Sequence, residues 1–210
     1  MIRRFATLRT VIFGALLALA ACARAPDRAP VGPPPTPYLS GPLTAAEWGV
    51  GPIRAGTYFE SPRIRELFPR AVVKDDEVRI APDETRAVIT VSQDGAQLLE
   101  IVDGFSNFPG TDDPRIGTVR LVGGPVRGPH GETLGMGWKA SGFDLSQCEL
   151  GTDRDSDAMI CARPHEGAVT YVFALPGWRS MEFPPASLLR AKGFLRTIVW
   201  TPPRPWHYAG

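Results

Sequence analysis

Seven of the twenty residues from Ala23 to Pro42 are proline: Pro26, Pro30, Pro33, Pro34, Pro35, Pro37 and Pro42. Each lacks a backbone N–H and fixes φ, so the stretch can neither continue a helix nor lie inside a sheet. It also holds almost nothing apolar to pack, and therefore reads as a tether. Leaning toward polyproline II at about 3.1 Å per residue, it could reach up to roughly 60 Å. Whatever the chain folds into must come from residues 43–210, enough for one domain with a real core.

Upstream of the tether stand Arg3, Arg4 and Arg9, an apolar run from Val11 to Ala20, and Leu19-Ala20-Ala21-Cys22. A cationic start, a short apolar stretch and small residues at a cut are the parts of a secretory signal peptide, and the run is too short to span a bilayer. Leu-Ala-Ala-Cys is similar to the lipobox of bacterial lipoproteins. That resemblance implies that residues 1–21 are removed, that Cys22 becomes the first residue and carries acyl chains, and that Ala23 directs the protein to the outer membrane. Residues 22–42 are then the lipidated cysteine and its spacer. Three of the 23 Lys and Arg, and none of the 22 Asp and Glu, lie in the leader, so the mature chain has 20 bases against 22 acids, a net charge of −2. Such a balance leaves no electrostatic footprint for nucleic acid. With Cys22 assigned to lipid, Cys148 and Cys161 remain as an even pair in an oxidising compartment, and a structural disulfide is expected.

Within 43–210 the signals are those of short helices and antiparallel strands. Ser61-Pro62 offers a capping hydroxyl and a first-turn proline, Ile64, Leu67 and Phe68 share one face, and Pro69 ends the helix. Strands are expected at 78–80, 86–92 and 98–102, with Ala87, Ile89 and Val91 on one side. Asp94-Gly95, both tolerant of positive φ, turns the last two into a hairpin. Residues 104–114 and 123–137 read as loops on either side of a strand at 118–122. Strands at 158–161, 168–175 and 194–200 follow, with a helical turn over 188–192 capped by Gly193. This order begins at Gly49-Val50-Gly51 and again at Gly135-Met136-Gly137, with 158–161, 168–175 and 194–200 answering 78–80, 86–92 and 98–102. Two degenerate helix-plus-meander repeats would explain it, and so would coincidence. In both cases the fold class is α+β: a single domain with an antiparallel sheet and short helices on one face.

Chemistry is sparse. Asp153, Asp155 and Asp157 have the opening spacing of a calcium loop, but Ala158 stands where the loop needs glycine and Pro164 where it needs glutamate, so a solvated acidic turn is expected. His130, His165 and His207 lack ligand spacing, and the first two sit in turn sequences, where they should face solvent. No nucleophile elbow or phosphate-cradling loop is present, so no enzyme activity and no cofactor are expected. Trp200 alternates with Ile198 and belongs inside. Phe105 and Phe108 are candidates for an exposed binding edge, against the alternative that they staple their loop to the body.

The lipobox, Gly49-Val50-Gly51, the strand pair around Asp94-Gly95, Cys148 and Cys161 flanking an acidic turn, Tyr171-Val172-Phe173 and Thr197-Ile198-Val199-Trp200 together resemble the sigma-E-regulated envelope lipoproteins, a family of unknown function, over residues 48–200. The chain departs from that family in its proline tether, in the short segment before Cys148 and in the tail after Trp200. The resemblance implies attachment to the outer membrane facing the periplasm, and supplies no active-site residues. The first functional expectation is a non-catalytic interaction module that contacts an envelope protein or the cell wall. A rival is an envelope hydrolase whose carboxylates or His165 act in a cleft between the halves, which a deep pocket joining His165 or His130 to a carboxylate and a hydroxyl would favour. A third is a small-molecule carrier with an apolar cavity between sheet and helices.

Overall fold

Residues 43–54 are small and apolar at alternate positions and form three short strands, β1 (Leu43–Ala46), β2 (Gly49–Val50) and β3 (Ile53–Arg54), which β8 (Val126–Arg127) extends by pairing parallel to β1. The computed structural model describes residues 32–81, 83–104, 115–178 and 182–203; Cys22, Phe105, Phe108 and His207 lie outside them. Helix α1 (Ser61–Leu67) leads into a meander of β4 (Val72–Ala81), β5 (Glu84–Gln93), β6 (Ala96–Asp103) and β7 (Ile116–Leu121). Helix α2 (Trp138–Ser141) leads into a second meander of β9 (Cys148–Leu150), β10 (Ala158–Ala162), β11 (Val169–Ala174) and β12 (Phe194–Trp200), with α3 (Ala186–Lys192) inserted before the last strand.

The meanders join through their final strands into one eight-stranded sheet of order β4-β5-β6-β7-β12-β11-β10-β9. The halves thus repeat in topology, but one strand out of step with the sequence reading: β5 answers β10, β6 answers β11, and the strand at 118–122, part of β7, answers β12. A single row of residues crosses all eight strands: Val73, Val91, Leu99, Leu121, Ile198, Tyr171, Cys161 and Cys148, each opposite the next. Because side chains alternate along a strand, this row and its i±2 neighbours Ile89, Ile101, Val119, Trp200 and Phe173 form one apolar face. Leu43, Ala45, Val50 and Ile53 of the small sheet, Ile64 and Phe68 around α1, Trp138 of α2 and Leu189 of α3 cover it in one contiguous core. This is the α+β arrangement with short helices on one face.

Several elements differ from expectation for identifiable reasons. The residue before α1 is Glu60; Ser61 is the first helical residue, is buried, and gives its hydroxyl to Asp75 Oδ1 at 2.5 Å instead of capping. Strand β4 begins six residues early, because Lys74-Asp75-Asp76-Glu77 masks its alternation; it is a sheet edge, where charges discourage pairing with other chains. The 123–137 loop contains β8. The Asp94-Gly95 hairpin forms as expected, with φ of 54° and 80°. Gly193 ends α3 with extended φ, and its need for glycine is spatial: a Cβ there would fall 2.6 Å from Leu189 Cδ1 and 2.7 Å from Leu189 O.

The end of the proline stretch is laid against the body. Tyr38 stacks on Phe68 with ring centroids 5.6 Å apart and donates its N–H to Leu67 O at 2.8 Å. Gln93 Nε2 donates to Leu39 O, and Arg54 Nη2 to Pro33 O at 3.1 Å. Proline removes donors but keeps carbonyls, and those are what the body holds.

Candidate functional site

Helices α2 and α3 pack against each other beside a groove of about 270 Å³ lined by Trp138, Lys139, Phe143, Asp144, Leu145, Ala186 and Arg190. Its floor is aromatic and fixed. Trp138 meets Phe173 edge-on at 4.9 Å, and Phe143 lies 5.0 Å from Tyr171 and 5.5 Å from Phe173. The one acid of the lining is already engaged: Asp144 accepts from Ser146 N and Oγ at 2.9 and 3.0 Å while Gln147 Oε1 accepts from Asp144 N, a reciprocal cap on the turn Leu145–Gln147. The Ser146 hydrogen bonds hold this carboxyl below its ordinary range. Lys139 and Arg190 are exposed and pair with no acid among the described residues.

Behind the floor lies a buried ionic support. The Arg163 guanidinium sits 4.5 Å above the centre of the Phe143 ring, donates to Glu132 Oε1 through Nε (3.1 Å) and Nη2 (2.8 Å), and donates to Ser141 O at 3.0 Å. Burial opposes ionisation of Glu132, whose side chain is 3% exposed, but Arg163 and the His130 N–H outweigh it and hold the carboxyl below its usual range. His130 Nε2 pairs with Glu166 Oε1. Burial, reinforced by the Glu132 and Glu166 charges, pushes the Tyr171 phenol well above its ordinary value, and its hydroxyl, like Glu166 Oε2, finds no hydrogen-bond partner among the described residues.

The two histidine turns, 35 residues apart in sequence, are therefore neighbours, which turn composition alone did not show. His165 faces solvent as expected, in the left-handed region at φ 69°. His130 is exposed yet paired, and its bonds among the described residues go to Glu132 and Glu166, with no serine or threonine hydroxyl among them. The arrangement braces Arg163 and, through it, Phe143.

On the opposite face of the sheet the acidic turn differs from its expectation. Asp155 is buried: Arg120 Nη1 and Nη2 donate to its two oxygens at 2.8 and 2.9 Å, and Arg196 Nη2 adds a third bond at 2.9 Å. Asp157 accepts from Arg196 Nη1, Glu100 pairs with Arg154, and Asp153 points to solvent. The three carboxylates are thus not a solvated cluster, and no group of His, Cys, Asp or Glu among the described residues could hold a metal ion. The signal that could have revealed this is Glu100 and Arg120, charges standing where apolar strands alternate. Cys148 and Cys161 form the disulfide as a directly opposed pair on β9 and β10, with Cα atoms 4.0 Å apart.

No family model and no curated protein matches the chain. A solved structure does: the uncharacterized protein YfeY from Escherichia coli, at TM-score 0.55 and 14% identity, covering 79% of this chain and 99% of that one. The two share a fold. At that identity the likeness speaks for the architecture of sheet and helices, not for any residue of the groove.

Proposed function

We propose that this chain is a lipoprotein of the sigma-E-regulated envelope type, anchored through Cys22 in the outer membrane with a non-catalytic domain facing the periplasm, where it contacts an envelope protein or the cell wall. The observation that carries the reading is Leu19-Ala20-Ala21-Cys22 behind a cationic and apolar leader. The Cys148–Cys161 disulfide supports an exported location. Several acyl chains on one residue hold far more firmly than one, so Cys22 would fix location by itself. The groove between α2 and α3 supports a binding role.

Metabolic labelling with tritiated palmitate and membrane fractionation test the anchor. The parent should take up label and sediment with the outer membrane, and Cys22→Ala should be unlabelled and released. Label or sedimentation that survives Cys22→Ala would refute it. In-cell crosslinking from Lys139 tests the binding role and identifies what the domain touches.

A further inference from the structure

We infer that the α2–α3 groove is a binding site for a small organic anion: an apolar, ring-sized body seated on Trp138 and Phe143, with a carboxylate or phosphate monoester held by Lys139 and Arg190. This deepens the binding reading given above and does not depend on the anchor.

Four observations converge. The groove is concave, and at about 270 Å³ it falls just below drug-sized ligand sites, which run from roughly 300 Å³ upward, a size that suits a single ring. Its floor is preformed. Trp138 and Phe143 are 5% and 7% exposed, and Arg163, anchored on Glu132 and Ser141 O, packs over the Phe143 ring, so little ordering remains to be done when a ligand arrives.

The charge of the lining is unbalanced. Lys139 and Arg190 have no acidic partner among the described residues, while the lone lining carboxylate, Asp144, accepts both Ser146 bonds on Oδ1. Two cations against one carboxylate leave the lining with a net positive charge. An anion would meet two free donors, one of them a planar guanidinium suited to bidentate contact with carboxylate or phosphate. Finally, the two cations that line the groove come from different elements, α2 and α3, so the charged end of a ligand can meet donors from two helices rather than one.

A ring without charge would gain only the floor, and a bare anion would gain only two exposed cations, which are weak when the partner stays solvated. The site therefore discriminates by requiring both parts in one molecule. Carboxylate and phosphate sources share this chemistry and are separated by using one probe of each.

The test uses the chain from residue 22 on, carrying Cys22→Ala so that it is free of lipid, titrated with phenyl phosphate and with phenylacetate while Trp fluorescence and the side-chain NMR signals of Trp138 are followed. Benzyl alcohol supplies the ring without the charge and inorganic phosphate the charge without the ring. Saturable binding of at least one aromatic anion is expected, at least tenfold tighter than either control, with shifts centred on Trp138. The variant Lys139→Gln/Arg190→Gln should bring that anion down to the affinity of benzyl alcohol, and Ala186→Trp, which fills the groove from its exposed rim, should abolish binding while circular dichroism stays unchanged.

The proposal is overturned if neither anion saturates below 10 mM, a bound on the order of the weakest specific contacts. It is equally overturned if the Lys139→Gln/Arg190→Gln variant binds as the parent does, or if the shifts fall elsewhere on the domain. Because the protein tested has no lipid, none of these results bears on the anchor, and failure of the anchor would leave them standing.

Discussion

Replacing Asp155 with asparagine isolates the ionic clamp on the far face of the sheet. The carboxylate accepts three bonds from two guanidinium groups, and the Arg120 side chain, 11% exposed, makes no other ion pair among the described residues, Glu100 opposite it on β6 being held by Arg154. Asparagine keeps one acceptor and turns an amide donor toward donors, leaving Arg120 buried without its paired carboxylate. Removing one partner of a buried pair costs about 3–5 kcal/mol. Arg196 keeps Asp157, so the low end applies, about 3 kcal/mol, or roughly 6–12 °C in Tm for a domain of this size.

Urea unfolding followed by Trp fluorescence, with the disulfide intact at pH 7, reads the loss. The double variant Arg120→Met/Asp155→Leu removes both charges and should lie within about 1 kcal/mol of the parent, since apolar replacement of a whole buried pair is close to neutral. Burial opposes ionisation of Asp155, yet the Arg120 bonds and the Arg120 and Arg196 charges hold its carboxyl below the ordinary range. Its contribution is therefore complete above the unfolded value of about 3.9 and is lost as pH falls through the lower folded value. Asp155→Asn should flatten that acid limb. A loss under about 1 kcal/mol in the single variant, or a double variant as unstable as the single, would refute the clamp.

Arg163→Met should destabilise by about 3 kcal/mol at pH 7 by stranding Glu132. With Arg163 gone, burial would raise the Glu132 carboxyl above its unfolded value, so stability should recover as pH falls, the reverse of the parent; the same urea titration at pH 4 and pH 7 checks it. Opening the Cys148–Cys161 bridge by a Cys148→Ala/Cys161→Ala variant should cost about 3 kcal/mol in the loop-entropy model, seen as a lower urea midpoint. Tyr38→Ala removes the stack on Phe68 and should raise thermolysin cleavage before Leu39 by roughly tenfold, since local opening sets the rate; an unchanged rate would show that the segment is held without it.

The strands containing 86–92, 98–102, 158–161 and 194–200 were legible because one face is core and the other is not, so the alternation is written in the residues. β4 was hidden by its edge charges, and the match between the halves slipped by one strand because pairing of β7 with β12 is a property of the assembled sheet. The groove was half visible. Trp138 and Phe143 are aromatics of the second half that the sequence marks as apolar, but Arg190 joins them only through the packing of α3 on α2. The acidic turn was read as solvated because its partners, Glu100, Arg120 and Arg196, lie on three separate strands and meet it only in three dimensions. Tyr38 and the carbonyls of Pro33 and Leu39 went unseen because composition weighs side chains and donors, and the body holds this segment largely by backbone oxygens.

The seam between β7 and β12 has a consequence for the order in which the chain can finish. Val119 lies opposite Trp200, some eighty residues later, whereas the pairs within each meander are far more local. Contacts so distant in sequence form slowly, and a chain is made from its N-terminus, so the first meander must wait with the apolar edge of β7 open until its last-made partner arrives. Loss of residues 194–200 would therefore not shorten the sheet. It would leave two half-sheets, each with a bare inner edge, and the nearest match for such an edge is the same edge on another copy.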